Sequence, residues 1–419
     1  MPPVATLDPS AGRPARALAW AAYLGASWTW VIGMYLPVLL VRDLGLAGYL
    51  VFAVPNVVGA AAMGWVLTSP ESSRRLVREH AGACALFSIV TLSFHAYWLV
   101  WLGGWSIRAL DAGLPGMIGI VTLVVGVMLG SKAVRSDALA RIGGLVAMTV
   151  SLVAMAVFLL APEPATPAIA ERLTEVPFSS DALWMMSVST LGFLLCPYLD
   201  LTFNRARQAC PTANSGRLAF TVGFGVCFCL MIVFTLLYAG PMVGFVNGSP
   251  VGQLDAAIPV LVAVAIGAHV AVQWVFTASI HRREAEDDRS PMRRLAPLGI
   301  PVACVLGLIA VLLAEHRPLG MAPGEIGYRG YLSFYGLIFP AYVWLNMVDV
   351  RTRSLRAPTA RSINVTLLVI LLAMPFYALG FLWRIEPWLV PGVAIVLLAK
   401  LFTGQAPGLA AGASRPRHA

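Results

Sequence analysis

Twelve stretches along the chain are apolar for the length a helix needs to cross a bilayer, about 20 residues, and short polar segments separate them. They run from 18 to 41, 46 to 68, 81 to 104, 113 to 131, 142 to 161, 182 to 204, 217 to 240, 255 to 280, 295 to 314, 329 to 349, 362 to 383 and 386 to 403. The pattern predicts an all-α polytopic membrane protein with twelve transmembrane helices.

The basic residues give these crossings a direction. With the N-terminus inside, 23 of the 29 Lys and Arg fall on the inner side, as expected if basic loops are retained in the cytoplasm. A wrong helix number would scramble that alternation. The first 17 residues, "MPPVATLDPSAGRPARA", lack a signal peptide's charged, apolar and cleavage regions in order, so they are expected to be a cytoplasmic tail. The location expected is the cell (inner) membrane, with both termini cytoplasmic.

Composition agrees with this reading. Hydrophobic residues make up 59% and charged residues 12% of the 419, with a mean hydropathy of +0.80, far from the roughly one-quarter charged of soluble domains. The net charge of +9 follows from topology and attraction to anionic lipid, and requires no nucleic-acid partner. Six cysteines lie in apolar stretches or in one basic loop, so disulfides are not expected. Cys227 and Cys229 have no His at ligand spacing, and no metal site is expected.

Two spans contain helix breakers. The first, "GASWTWVIGMYLPVLL", has Gly33 followed by Pro37, and the sixth, "SVSTLGFLLCPYLDL", has Gly192 followed by Pro197 and then Asp200. Proline removes an amide and glycine admits unusual dihedrals, so both spans are expected to unwind there. Lipid cannot satisfy the freed groups, which must face protein, water or cargo. Breaks five helices apart suit two inverted five-helix repeats with two additional C-terminal helices. The domains expected are a tail (1–17), a first repeat (18–161), an external loop (162–181), a second repeat (182–350), two additional helices (351–403) and a second tail (404–419).

On these residues the layout resembles the LeuT-type fold of the amino acid/polyamine/organocation superfamily, with the sodium:solute symporters nearest in plan. The resemblance covers the first ten spans and implies a substrate site among spans one, three, six and eight. Span three presents Ser88, Thr91, His95 and Trp98 on one face, and span eight presents His269, Gln273 and Thr277. An ionisable residue in a span is a functional candidate by default, although a neutral His also serves to hold helices together. The candidate substrate residues are Ser27, Trp30, Gly33, Thr91, His95, Trp98, Gly192, Cys196, His269 and Gln273, with Tyr335 and Asp200 as gating candidates.

Asp200 is the only carboxylate placed well within a span, where pairing with Arg205 is the simplest reading. With so little counter-charge, the cargo expected is a small neutral or carboxylate-bearing organic solute, moved by alternating access. No cofactor is expected. The coupling ion is open among Na+, H+ and none; Thr277 and Ser279 lie near the inner end of span eight, whereas a sodium ion should sit closer to the middle. The partners expected are the solute and the lipid bilayer. The competing classes are a transporter-like sensor or scaffold and a membrane-embedded enzyme. For the enzyme, the only dense acidic cluster, "EAEDDR" at 284–289, reads better as a solvated linker.

Overall fold

The computed structural model describes residues 12–109, 111–161, 180–246, 260–287, 291–349 and 354–403. The 404–419 tail, most of the 1–17 tail and most of the 162–181 loop lie outside the described residues. Among those described, nine helices are long and apolar enough to span a membrane.

The chain begins with α1 (Gly12–Trp28) and α2 (Val31–Val66). At 1.5 Å per residue, the 36 residues of α2 would reach about 54 Å, far beyond a hydrocarbon core of about 30 Å. The helix folds back at Gly45, where φ is +61° and ψ −148°, a conformation open to glycine because it lacks a Cβ. Two crossings therefore share one helical label. Next come α3 (Pro70–Glu79), closed by a Ser69/Ser72 capping box, α4 (Ala81–Trp98), α5 (Gly113–Ala133) and α6 (Asp137–Leu160).

The second half opens with α7 (Ser180–Leu195) and α8 (Leu201–Ala209), followed by α9 (Ala213–Val222), α10 (Cys229–Val246), α11 (Val260–Asp287) and α12 (Ala296–Leu312). The next span is built from α13 (Pro323–Ser333) and the short α14 (Phe339–Tyr342), with wider π-helical turns at Phe334–Ile338 and Val343–Met347. A two-stranded antiparallel ribbon, β1 (Val348–Asp349) with β2 (Ser354–Leu355), precedes α15 (Ala360–Phe381) and α16 (Leu389–Leu398).

Packing partners repeat in a regular way. α4 packs on α12 while α11 packs on α5, and α1 packs on α6 while α7 packs on α14 and the π-turn before it. α11 lies at the middle, against α4, α5 and α6. Leu, Val, Ile and Met side chains on α5, α12 and α15, such as Val121, Leu308 and Leu371, point outward and are exposed, the apolar coat expected of lipid-facing helices.

Both expected breaks exist, but neither is centred on its glycine. α1 stops at Trp28, and Trp30 is extended (φ −102°, ψ −167°), so the interruption precedes Gly33, which lies inside wound helix. In the sixth span, helix continues past Gly192 to Leu195, passes through a 3-10 turn at Cys196–Leu199 and opens at Asp200 (ψ 112°). The prolines act one turn away. Pro37 leaves the Gly33 carbonyl without its helical partner, and the Thr235 hydroxyl donates to it at 3.0 Å. Pro197 does the same to Phe193, whose carbonyl sits so close to Gly59 that a Cβ there would come within 2.2 Å. Met34 also accepts, from the Tyr238 hydroxyl at 2.7 Å, so these carbonyls of the first break face protein, because an unpaired carbonyl sheltered from water is costly.

Candidate functional site

The break between α7 and α8 is set by Asp200. Its backbone is extended and its carboxylate caps α8: Oδ1 accepts from the Thr202 amide and the Thr202 hydroxyl, both at 2.7 Å. An acidic cap suits the positive end of a helix. Asn204 folds back to donate to the carbonyls of Tyr198 (3.1 Å) and Asp200 (2.9 Å). The carboxylate is fully buried, and its second oxygen, Oδ2, has no hydrogen-bond partner among the described residues.

The group nearest to that oxygen in charge terms is His281 on α11, whose Nε2 lies 4.0 Å from Oδ2. The ring is buried, and its Nδ1 has no partner among the described residues. His281 also faces His95 of α4, with ring centroids 6.5 Å apart. His95 is held on both nitrogens, Nδ1 by the Thr91 carbonyl at 2.7 Å and Nε2 by the Thr277 hydroxyl at 2.9 Å.

Aromatic rings cover this polar centre. Trp30, at the first break, stacks on His95 (5.8 Å, 11° between planes) and meets Tyr335 edge-on at 4.8 Å. The Tyr335 hydroxyl shares a 3.0 Å hydrogen bond with Thr91, and its backbone carbonyl accepts from the Cys196 thiol at 3.2 Å. The π-helical turn at Phe334–Ile338 carries Tyr335; such wide turns recur at functional sites. Gly192 lets α7 approach closely, since a Cβ there would lie 2.7 Å from the same Tyr335 carbonyl.

Of the residues named from the sequence, the structure brings Trp30, Thr91, His95, Cys196, Asp200 and Tyr335 into this one centre, with Gly192 at its edge. Ser27 lies just before the first break, its hydroxyl returned to Leu24. Trp98 packs further along α4 against Tyr35. Gly33 faces Thr235 and Phe228. His269 and Gln273 are elsewhere: His269 Nδ1 and Gln273 Nε2 both reach the Ser151 hydroxyl of α6, at 2.9 and 3.0 Å. Because His95 meets Thr277, eight residues beyond His269, the two expected site histidines are offset by about 12 Å along α11.

Thr277 is level with the breaks because α11 continues to Asp287, which corrects its expected position near the helix end. His281 was missed by the sequence reading. The signal was there: His269, Gln273, Thr277 and His281 continue one stripe at steps of four.

A second feature had no sequence signal. Residues 42–43, 325–329 and 384 assemble five charges at the Arg42 end of the bundle. Arg42 grips Glu325 through two bonds of 2.7 and 2.8 Å. Arg329 bridges Glu325 (2.8 Å) and Asp43 (2.6 Å), and Arg384 reaches Asp43 at 2.9 Å. Burial alone would push the Glu325 carboxyl up, but Arg42 and Arg329 hold it down at about 2. The network ties α2 to α13 and to the turn after α15, closing that end above the aromatic layer.

No family model and no curated protein matches the chain. Solved structures do resemble it over nearly all its length. A manganese transporter of Eremococcus coleocola, in complex with an aromatic bis-isothiourea compound, is 12% identical, with 96% of each chain covered and a TM-score of 0.49. Two mutants of that transporter give 14% and 13% identity, each with 94% of this chain and 93% of that one covered, at TM-scores of 0.44 and 0.43.

The matched structures are of a manganese transporter and not of a sodium:solute symporter, and the expected nearest relative in plan and the expected small neutral or carboxylate-bearing organic cargo are withdrawn against them. Asp200, a gating candidate for which Arg205 was the simplest partner, is not paired with it: Arg205 binds Asp137 at 2.6 Å, and the Asp200 carboxylate stands in the break itself. Among the described residues, no three His, Cys, Asp or Glu side chains are gathered into a ready-made metal cage.

Proposed function

We propose that this chain is a secondary transporter for a metal cation, working by alternating access around the two broken helices. The observation that carries the reading is the Asp200 carboxylate: fully buried at the break, with Oδ2 unpartnered and 4.0 Å from the His281 ring. Burying a charge in a span is costly unless a counter-charge visits it, and an entering cation supplies one. Oxygen from Asp200 and nitrogen from His281 form a donor set suited to first-row divalent ions. A carrier must also release its cargo, so an incomplete cage suits it better than a tetrahedral structural site.

The remaining parts fall into place around that centre. Trp30 and Tyr335 form the cover toward the Arg42 end, and the Arg42–Glu325–Arg329–Asp43–Arg384 network is the outer closure. The conformation is then one closed to the outside. H+ is one candidate coupling ion, and His281 and His95 are the ionisable side chains beside Asp200 at this centre.

The exchange of packing partners on adding five spans supports two inverted five-helix repeats, 18–161 and 182–350, followed by two helices in 351–403. The basic-residue bias supports cytoplasmic termini in a cell membrane.

The test is uptake into proteoliposomes of purified protein, with Mn2+ as the first cation and a panel of labelled amino acids and organic acids beside it. Saturable Mn2+ uptake that Asp200→Asn abolishes is the expected outcome. Uptake of an organic solute with no divalent cation moving would end the reading.

A further inference from the structure

A cleft of about 560 Å3 opens between α4, α5, α11 and α12, away from the broken-helix centre but bordering it at His95. Its walls are apolar, among them Leu92, Leu99, Ile120, Val124, Trp274 and Ile300. A second space of about 300 Å3 continues it along the same helices and shares Leu99, Ile120 and Trp274 with it. On α11 the lining runs from Gly267 in the second space to Glu286 in the first, a rise of about 28 Å. That is close to the full hydrocarbon thickness of a bilayer, about 30 Å.

The outer wall is slender. α5 packs mainly on α11, where Gly126 meets Val275 and Gly130 meets Ser279, and most of its surface is exposed apolar side chain such as Leu114, Ile118 and Leu129. The cleft thus lies beneath a helix that faces acyl chains.

Its charged end has an excess of positive charge. Glu286 is shared by two guanidiniums, Arg282 through Nε at 2.9 Å and Arg135 through Nη2 at 3.2 Å, and Lys132 lies one turn before Arg135 at the exposed end of α5. One carboxylate against three cations leaves the mouth complementary to an anion held at the membrane surface. The apolar run is long enough for an acyl chain, and the mouth suits a phosphodiester.

From this length and charge we infer that the cleft is a binding site for one anionic membrane phospholipid, with an acyl chain between α5 and α11 and its headgroup at Arg135 and Arg282. The lipid forms the wall that separates His95 from the bilayer. Because an acyl chain already lies in hydrocarbon, its fit to the cleft rests on packing, and the basic mouth supplies selectivity for anionic headgroups. The site is independent of the cargo, so it stands or falls separately from the transport reading.

The test uses the full chain in nanodiscs containing phosphatidylglycerol or phosphatidylcholine brominated on the acyl chain, which quenches nearby tryptophan. Trp274 is the reporter, isolated by difference against Trp274→Phe. The expected result is stronger quenching of the Trp274 component by brominated phosphatidylglycerol than by brominated phosphatidylcholine, with Arg282→Ala removing the preference. Val124→Trp, which fills the cleft, is read by native mass spectrometry as loss of a retained phosphatidylglycerol while the size-exclusion profile stays that of wild type. Equal quenching by the two lipids in wild type, or undiminished lipid retention in a well-folded Val124→Trp, would overturn the site. Retention of phosphatidylcholine as firmly as phosphatidylglycerol would overturn the headgroup assignment and with it the proposal.

Discussion

Two buried histidines on α11 look alike in the sequence and behave differently in the structure. His281 faces Asp200 and His95 across the broken-helix centre. His269 sits three turns away in a wound part of the bundle, held by Ser151 and flanked by Phe234 and Tyr238. Each ring keeps one nitrogen without a partner among the described residues. Helical spacing put both on one face, but it carried no information about which neighbour each would meet. What separates them is the partner helix: α6 offers His269 a hydroxyl, whereas the break at Asp200 offers His281 a carboxylate oxygen with no hydrogen-bond partner among the described residues.

The strongest way to break this contrast is Asp200→Asn. It removes the carboxylate at the centre while keeping the α8 cap, and metal uptake is expected to fall at least tenfold, as for loss of a residue that supports a metal site. If uptake survives, the centre is elsewhere. His281→Ala is expected to cost roughly tenfold in apparent Mn2+ affinity on the same grounds, read from the concentration dependence of uptake.

Away from the centre, Glu325→Gln tests the outer closure. It leaves Arg42 and Arg329 buried with fewer partners, and the expected cost is about 3–5 kcal/mol in thermal or denaturant unfolding. The same carboxyl gives a pH signature. Its folded value lies near 2, below that of an unfolded glutamate, so its contribution is fully present above about pH 4.3 and is lost as pH falls toward 2. Wild type is expected to lose stability across that window more steeply than Glu325→Gln.

The smallest effect on transport belongs to His269→Ala. It is expected to leave uptake within about twofold while costing about 1–3 kcal/mol of stability, because the Ser151 hydroxyl loses a buried partner. Uptake that falls as far as in Asp200→Asn would erase the distinction drawn between the two histidines.

Much of the scaffold was legible because it follows from one-dimensional facts. Hydrocarbon thickness fixes the length of an apolar run, and Pro37 and Pro197 each remove an amide wherever they stand. The positions of the breaks were less legible: proline frees a carbonyl one turn earlier, and which side chain then takes it depends on the neighbouring span. The Gly33 carbonyl found Thr235 across more than two hundred residues, while the Phe193 carbonyl lies against the backbone at Gly59.

The site was legible in part. Trp30, Thr91, His95, Cys196 and Tyr335 were named for their types and faces, and they do converge. Asp200 was named but given a partner by proximity in sequence, when Asp137, brought up by α6, takes Arg205 instead. His281 was hidden by an early end to span eight. The Arg42 network joins residues more than 280 positions apart, a relation that periodicity cannot register.

The most direct measurement is Mn2+ binding by isothermal titration to purified protein in detergent, comparing wild type with Asp200→Asn, His281→Ala and His269→Ala. Binding lost in Asp200→Asn, weakened roughly tenfold in His281→Ala and kept in His269→Ala is the predicted result. Binding unchanged by Asp200→Asn, or lost in His269→Ala with the fold intact, would contradict a cation centre at the sixth-span break.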